Sequence, residues 1–85
     1  MLEDCKIRAF LLVVESGSFT EAARRLGISQ PAVSAQVAAL EASVGAPLLE
    51  RGRQLRLTPV GESFLGYARR IQDAYDLANR AFISD

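Results

Sequence analysis

The 85-residue sequence predicts a mainly α-helical domain with three helices, a small β-hairpin and a long final helix. Apolar residues recur at helical spacing in four segments, and residues that favour helix starts and ends separate those segments. Between the third and the fourth segment, a short stretch alternates apolar and polar residues as a half-buried strand does. A chain of this length forms one domain with one small core, which dimerisation would stabilise further.

The first helix is predicted from Asp4 to Glu15. Its apolar residues fall at positions i, i+3, i+4 and i+7, which places them on one face directed into a core. These residues are Ile7, Phe10, Leu11 and Val14. Gly17 ends this helix, because glycine readily adopts the left-handed conformation that commonly follows a helix.

A short second helix is predicted from about Phe19 to Leu26. Ser18 and Glu21 have the spacing of a capping box, in which each side chain satisfies the other residue's backbone N–H. The inward-facing residues are Phe19, Ala22, Ala23 and Leu26. Gly27 provides the C-terminal cap of this helix.

The third helix is predicted over residues 30–45. Ser29 can act as its N-cap, and Pro31 lies in the first turn, where the N–H that proline lacks would have no intrahelical partner. Two helices separated by so short a turn indicate a helix-turn-helix. In such motifs the N-terminal residues of the second helix touch base edges.

The two faces of this third helix differ in composition. The buried stripe is predicted to contain Val33, Val37, Leu40 and Val44. The opposite face carries only small residues, which are Pro31, Ala35, Ala38, Ala39 and Ala42. Since a solvated helix normally carries charged residues on its outer face, this composition suits a surface that another molecule approaches closely. A DNA groove and a partner helix are both candidates.

A small hairpin is predicted from residues 48–51 and 55–58, which flank Gly52, Arg53 and Gln54. The second segment alternates apolar and polar residues, which is typical of a half-buried strand. We interpret the hairpin as the wing of a winged helix-turn-helix, with Arg53 at its tip.

The last helix is predicted to begin after Thr58 and to continue to about Ile83. Thr58 and Pro59 repeat the N-cap-and-proline signal that precedes the third helix. The helix is too long for so small a core to cover, and its wide apolar stripe contains Phe64, Tyr67, Ala68, Ile71, Ala74, Tyr75 and Ala78. One side of this stripe is expected to dock on the globular part, and the other on a second copy in a coiled-coil-like homodimer. The alternatives are that the whole stripe packs internally or that the helix end frays.

The charge is unevenly distributed along the chain. The net charge is zero and the pI about 6.2, which argues against a generally basic nucleic-acid-binding surface. Between positions 24 and 56, however, five basic and two acidic residues give a local charge of +3. All basic residues except Lys6 are arginine, which favours bidentate or groove contacts, although arginines scattered on a solvated face would have the same composition.

Several function classes have little support in the composition. The chain has no histidine and one cysteine, Cys5, so a zinc site has almost no ligands and an internal disulfide cannot form. No glycine-rich phosphate loop follows a strand, and the chain has no histidine to act as a base for Cys5, so no catalytic residues, metal or cofactor are expected. Without an apolar run near eighteen residues or a secretory signal, we expect a soluble, cytoplasmic, nucleoid-associated protein with no membrane contact.

A set of short motifs follows in a characteristic order along the chain. They are the run 10–14, Gly17-Ser18-Phe19-Thr20, Ala22-Ala23, Leu26, Ser29-Gln30-Pro31-Ala32-Val33-Ser34, Leu40-Glu41, Gly45, Pro47-Leu48, Glu50-Arg51, Leu57-Thr58 and Gly61. With these motifs the chain resembles the LysR-type transcriptional regulators over nearly its whole length. The resemblance is to their N-terminal winged helix-turn-helix, here residues 1–58, and the linker helix that follows, here residues 59–85.

The resemblance implies a set of contacts with double-stranded operator DNA. The third helix would enter the major groove, the wing would reach the flanking backbone or minor groove, and the linker helix would form the homodimer. The implied DNA-binding residues are Thr20, Ser29, Gln30, Pro31, Ser34, Ala35, Gln36 and either Arg51 or Arg53 of the wing. RNA polymerase is a further candidate partner of the full-length regulator.

Among the departures of the chain from the family pattern, two bear most on its function. Many family members carry an arginine where this chain has Ala35, so Gln30 and Ser34 are expected to carry more of the base discrimination. The family's larger effector-binding domain is absent from the 85 residues, which fits either a DNA-binding fragment or a naturally truncated relative. The last helix, which is predicted to run nearly to the end of the chain, favours the fragment. The leading hypothesis is sequence-specific DNA binding to a partly palindromic operator, and the alternative is a winged-helix protein–protein interaction module without DNA readout.

Overall fold

The computed structural model describes residues 1–83 and confirms the predicted fold class. Four helices and a two-stranded antiparallel hairpin follow one another along the chain. They are α1 (Cys5–Ser16), α2 (Phe19–Leu26), α3 (Gln30–Val44), β1 (Leu49–Arg51), β2 (Leu55–Leu57) and α4 (Pro59–Phe82). The proposed division at residue 58 stays a prediction, and the last two residues of its second segment lie outside the described residues.

The core forms where α1 packs against the other three helices. Its fully buried side chains include Phe10 and Val13 from α1, Val33 and Val37 from α3, and Leu48 before the hairpin. The predicted inner face of α1 was incomplete, because it left out Val13, which is fully buried. The predicted Leu11 and Val14 are partly buried against the core.

The turn between α2 and α3 is short because both helix ends are capped. Gly27 closes α2 in the left-handed conformation, with φ of 70°, and Ser29 opens α3 by accepting a hydrogen bond from the Ala32 N–H at 3.2 Å. Only half of the predicted capping box forms at the other end of α2. The Ser18 hydroxyl accepts from the Glu21 N–H at 3.1 Å, but the Glu21 carboxylate bonds to Arg24 and Arg25 instead.

The buried stripe of α3 is shorter than the sequence predicted. Val33, Val37 and Leu40 are buried, but Val44 in the last turn is 36% exposed because the core does not extend to that end of the helix. The opposite face is exposed as predicted at all five of its small residues.

The hairpin is joined to α4 through one threonine. Thr58 is buried, donates its hydroxyl proton to the Pro47 carbonyl at 2.7 Å and accepts from the Gly61 N–H at 2.9 Å. The Thr58 N–H also bonds to the Leu48 carbonyl at 3.0 Å. The start of α4 is therefore held against the segment that leads into β1.

Helix α4 packs with one side on the domain and leaves the other side exposed. Ala68 is fully buried, and the Phe64 ring lies 5.9 Å from the Phe10 ring, centroid to centroid. These two residues of the predicted dimer stripe thus belong to the docking of α4 on its own domain. Tyr67 and Ile71 remain 61% and 39% exposed.

The N-terminal segment is tied to the far end of α4. The Asn79 side chain accepts from the Leu2 N–H at 2.7 Å and donates to the Leu2 carbonyl at 2.8 Å. Among the residues that the structure describes, no helix is long and apolar enough to cross a membrane.

Candidate nucleic-acid interface

The N-terminal tip of α3 presents polar side chains at the surface. Ser29, Gln30 and Pro31 are exposed, and Ser34 is half-buried one turn further along. Since the Ser29 hydroxyl caps the helix, the first turn keeps its helical geometry and projects the following side chains outward. This places Gln30 and Ser34 within one turn of each other at the end of the helix-turn-helix.

The outer face of α3 allows close approach of another surface. Ala35, Ala38, Ala39 and Ala42 are all exposed, while Gln36 is half-buried. Side chains that end at Cβ let a partner approach closer to the helix backbone than lysine or glutamate would. The sequence-based expectation of two possible occupants, a DNA groove or a partner helix, applies to this face.

The two candidate wing arginines occupy different environments. Arg51 is exposed, but it shares a face of the hairpin with the buried Leu49, and its guanidinium lies 3.7 Å from the centroid of the Phe19 ring. One of its Nη atoms donates to the Ser34 hydroxyl at 3.3 Å. Arg53 is exposed in the turn between the strands. The structure thus brings Arg51 to α3 and leaves Arg53 at the wing tip.

A carboxylate of α3 fixes the start of the wing. Glu41 accepts hydrogen bonds from the N–H groups of Leu48 and Leu49, at 2.7 and 3.3 Å. Both of those residues are buried, so their N–H groups need a protein partner. From the sequence, Glu41 was named only as part of the Leu40-Glu41 motif, and these hydrogen bonds were not predicted. A contact between residues seven apart, in different elements, has no recognisable local sequence pattern.

Two arginines of α2 are engaged within the domain. Glu21 accepts from Arg24 Nε and from Arg25 Nε, each at 3.0 Å. Hydrogen bonds from Arg24 and then Arg25 lower the pKa of the Glu21 carboxyl from 4.5 to about 2, and the bond to Glu21 raises the pKa of Arg24. Part of the local positive charge predicted from the sequence is therefore neutralised within α2.

The wing keeps its positive charge. Within residues 1–83, Arg51, Arg53 and Arg56 form no ion pair. They line one surface depression together with Glu50, Gly52 and Gln54. Thr20 is exposed at the start of α2, beside the Phe19 that carries the Arg51 guanidinium. The described part of the chain contains no cluster of three residues among His, Cys, Asp and Glu that could hold a metal ion.

A model of bacterial regulatory helix-turn-helix proteins of the lysR family matches residues 6–62, which is more than half of the chain. The chain belongs to this family. The matched range of this LysR-family chain runs from the first turn of α1 to the first turn of α4.

Curated relatives of this LysR-family chain are named as transcriptional regulators. It is 45% identical over 76 residues to an uncharacterized HTH-type transcriptional regulator in the ibpB-leuC intergenic region of Azotobacter vinelandii. It is 43% identical over 81 residues to the HTH-type transcriptional regulator TcbR of a Pseudomonas species. These alignments cover 88% and 94% of the chain, which spans about half of the first relative's length (53%) and a quarter of the second's (26%).

Solved structures of similar LysR-family domains include complexes with DNA. The chain is 41% identical to BenM DBD in its complex with catB site 1 DNA, with a TM-score of 0.82 over 91% of this chain and 84% of that one. It is 42% identical to CbnR DBD in a DNA complex, with a TM-score of 0.79 over 94% of this chain and 90% of that one.

Proposed function

We propose that this LysR-family chain is a sequence-specific module that binds double-stranded operator DNA for a homodimeric transcriptional regulator. The exposed tip of α3, with the small-residue face behind it and the wing beside it, carries the proposal. It supplies polar groups for base edges, room for close approach and positive charge for phosphates. The similar BenM and CbnR domains were solved with DNA, which supports the same role here.

Each proposed DNA contact has a chemical reason. Gln30 is exposed at the tip and can pair bidentately with adenine, while Pro31 and Ala35 can pack on thymine methyl groups. Thr20 and Ser29 are suited to phosphates, since hydroxyl groups at helix starts commonly bind them, and Gln36 lies at the edge of the same face. Arg53 at the wing tip would reach the flanking backbone or minor groove.

The proposed homodimer uses the exposed side of α4. Tyr67, Ile71 and Ala74 are exposed, and Tyr75 and Ala78 are half-buried next to them. Two copies paired through these residues would place two α3 helices about one DNA turn apart, so the operator would be partly palindromic. RNA polymerase would be a partner of the longer regulator, and its action on the chromosome would take place in the cytoplasm.

A binding titration tests the proposal. Fluorescence anisotropy with DNA selected from a random pool should give saturable binding whose log K falls with log salt at a slope of about −5, for about six phosphate contacts per dimer. Gln30→Ala should cost about 1–3 kcal/mol if Gln30 reads a base. Ser43→Ala, at the opposite end of α3, is the control and should leave affinity unchanged. Binding that does not depend on salt would contradict DNA recognition.

The alternative function is a protein–protein interaction module. The exposed alanines of α3 and the zero net charge favour it, because a partner helix also packs on a face of small residues. In that case the chain would select no DNA sequence, and Ala38→Glu would abolish binding of a protein partner in a pull-down.

A further inference from the structure

Three elements of the fold converge on the side chain of Arg51. The guanidinium of this β1 residue stacks on Phe19 of α2, with 3.7 Å between Cζ and the ring centroid, and it donates to Ser34 of α3. The Phe19 side chain is itself nearly buried, at 8% exposure, so it is a fixed platform. A planar guanidinium stacked on an aromatic ring loses less freedom on binding than a free side chain would.

The stacked guanidinium lies beside a helix that has no positive charge of its own. Between Gln30 and Val44 the sequence of α3 contains no lysine or arginine. Arg51 forms no ion pair within the part of the chain that the structure describes. Through its contact with Ser34, Arg51 of the wing therefore brings a positive charge to α3.

The contact with Arg51 restricts what the Ser34 hydroxyl can do. A hydroxyl has one proton to donate and two lone pairs, whereas a guanidinium can only donate. Arg51 thus occupies a lone pair of Ser34, and within residues 1–83 the hydroxyl proton has no protein acceptor. A second donor would meet the positive guanidinium, so an incoming hydrogen-bond acceptor is favoured.

We propose that Arg51 is a positioning residue that makes Ser34 a hydrogen-bond donor towards the DNA. The inference rests on the proposed function and adds a base preference to it. Ser34 would then select a base that presents an acceptor in the major groove, which is N7 or O6 of guanine, N7 of adenine or O4 of thymine. It would disfavour the amino group of cytosine.

Selection of sites from random duplex DNA tests this role. The wild type, Ser34→Ala, Arg51→Lys and Arg53→Gln are compared. Ser34→Ala should reduce discrimination at one base pair of each half-site by about 5- to 100-fold. Arg51→Lys should lose discrimination at that same base pair, because lysine cannot stack and donate as a planar group does. The slope of log K against log salt should stay the same, because lysine retains the charge.

A control variant and an NMR measurement on the free protein separate a specific role of Arg51 from a general loss of DNA affinity. Arg53→Gln should lower the affinity for DNA and leave the preference at the Ser34 base pair in place. In the free wild-type protein, the ring current of Phe19 should shift the δ protons of Arg51 upfield in the NMR spectrum, and Phe19→Leu should remove that shift.

Two results would overturn the inference while leaving the proposed function intact. The first is that Arg51→Lys keeps full discrimination at the Ser34 base pair. The second is that Arg51→Lys loses discrimination equally at every base pair although circular dichroism shows that it is folded. Absence of the upfield shift would remove its structural basis. If the wild type enriches no sequence at all, the proposed function fails, and the base preference fails with it.

Discussion

The backbone of Gly61 lies directly against the carbonyl group of Leu48. A Cβ atom added to Gly61 would come within 2.1 Å of the Leu48 oxygen and 3.1 Å of a Leu57 methyl carbon. Real Cβ atoms do not approach a carbonyl oxygen so closely. The first turn of α4 can therefore rest on the segment before the wing only because residue 61 has no side chain.

Substitution of Gly61 should destabilise the domain. Gly61→Ala has to move α4 away from Leu48, and the cost should be about 1–3 kcal/mol, as for other overpacked cores. Gly66→Ala is a matched control in the same helix, because nothing lies within 4 Å of an added Cβ there. It should stabilise α4 by up to about 1 kcal/mol. Urea unfolding measures both, and equal effects would contradict the close approach.

Removal of the Glu41 carboxylate should loosen the start of the wing. Glu41→Ala leaves the N–H groups of Leu48 and Leu49 without their acceptor, which should cost about 1–3 kcal/mol. Hydrogen exchange of these two amides should become faster, whereas the amides of α1 should follow global stability alone. Glu62→Ala, at an exposed position of α4, is the control. Unchanged exchange at Leu48 would show that another group holds this segment.

Stability should depend on pH through Glu21. Its pKa is 4.5 in the unfolded chain and about 2 in the folded domain, because of the hydrogen bonds from Arg24 and Arg25. The contribution of the ionised Glu21 carboxylate to the free energy of unfolding is thus fully present above about pH 4.5. It is lost as the pH falls to about 2, since only the unfolded state gains a proton in that window. The difference in unfolding free energy between the wild type and Glu21→Gln should shrink over the same range.

The control for this pH dependence is Glu50→Gln. Within residues 1–83, Glu50 forms no ion pair with Arg24 or Arg25. Glu50→Gln therefore shows how the free energy of unfolding changes with pH when a carboxylate without these ion pairs is removed. A difference between the wild type and Glu21→Gln that stays constant from pH 6 to pH 2 would show that the ion pairs do not form in solution.

A lysine on the exposed side of α4 should weaken the proposed dimer. Ile71 is 39% exposed beside Tyr67, so burying the rest of its side chain would contribute about 0.6–1.2 kcal/mol in each of the two copies of a dimer. Ile71→Lys should therefore raise the dimer dissociation constant at least about tenfold in sedimentation equilibrium. Leu77→Lys replaces an apolar residue that is 60% exposed on another side of the helix. If both variants weaken the dimer equally, a different face mediates it.

The sequence predicted the parts of the fold that depend on neighbours in the chain. Ser18, Ser29 and Thr58 all accept the hydrogen bonds of helix caps, because capping requires only residues within one turn. The exposed alanine face of α3 was also predicted, since helical periodicity alone separates it from the buried valines.

Contacts between distant residues could not be predicted in the same way. Val44 and Val37 have equivalent positions in the pattern, but only the shape of the core decides which of them is buried. Glu21 had two possible partners, and two arginines compete better for its carboxylate than a single backbone N–H does.

In the candidate site, too, the sequence predicted local features but not contacts between distant residues. The exposed polar residues of α3 were predicted from local spacing, and their contacts with DNA stay a prediction. The difference between Arg51 and Arg53 depends on the register of the hairpin, which pairs Arg51 with Leu55 on the inner face. Because residues two apart in a strand share a face, the apolar Leu49 indicates that Arg51 lies on the inner side of the hairpin. Two strands of three residues are nevertheless too short for the sequence to define their register.

The paired hydrogen bonds between Leu2 and Asn79 bring the beginning of the chain next to the last turns of its longest helix. Residues 2 and 79 are thus in direct contact although 77 positions separate them in the sequence. The same proximity gives practical guidance for labelling. A donor dye near residue 2 and an acceptor near residue 79 would report the integrity of α4 by energy transfer.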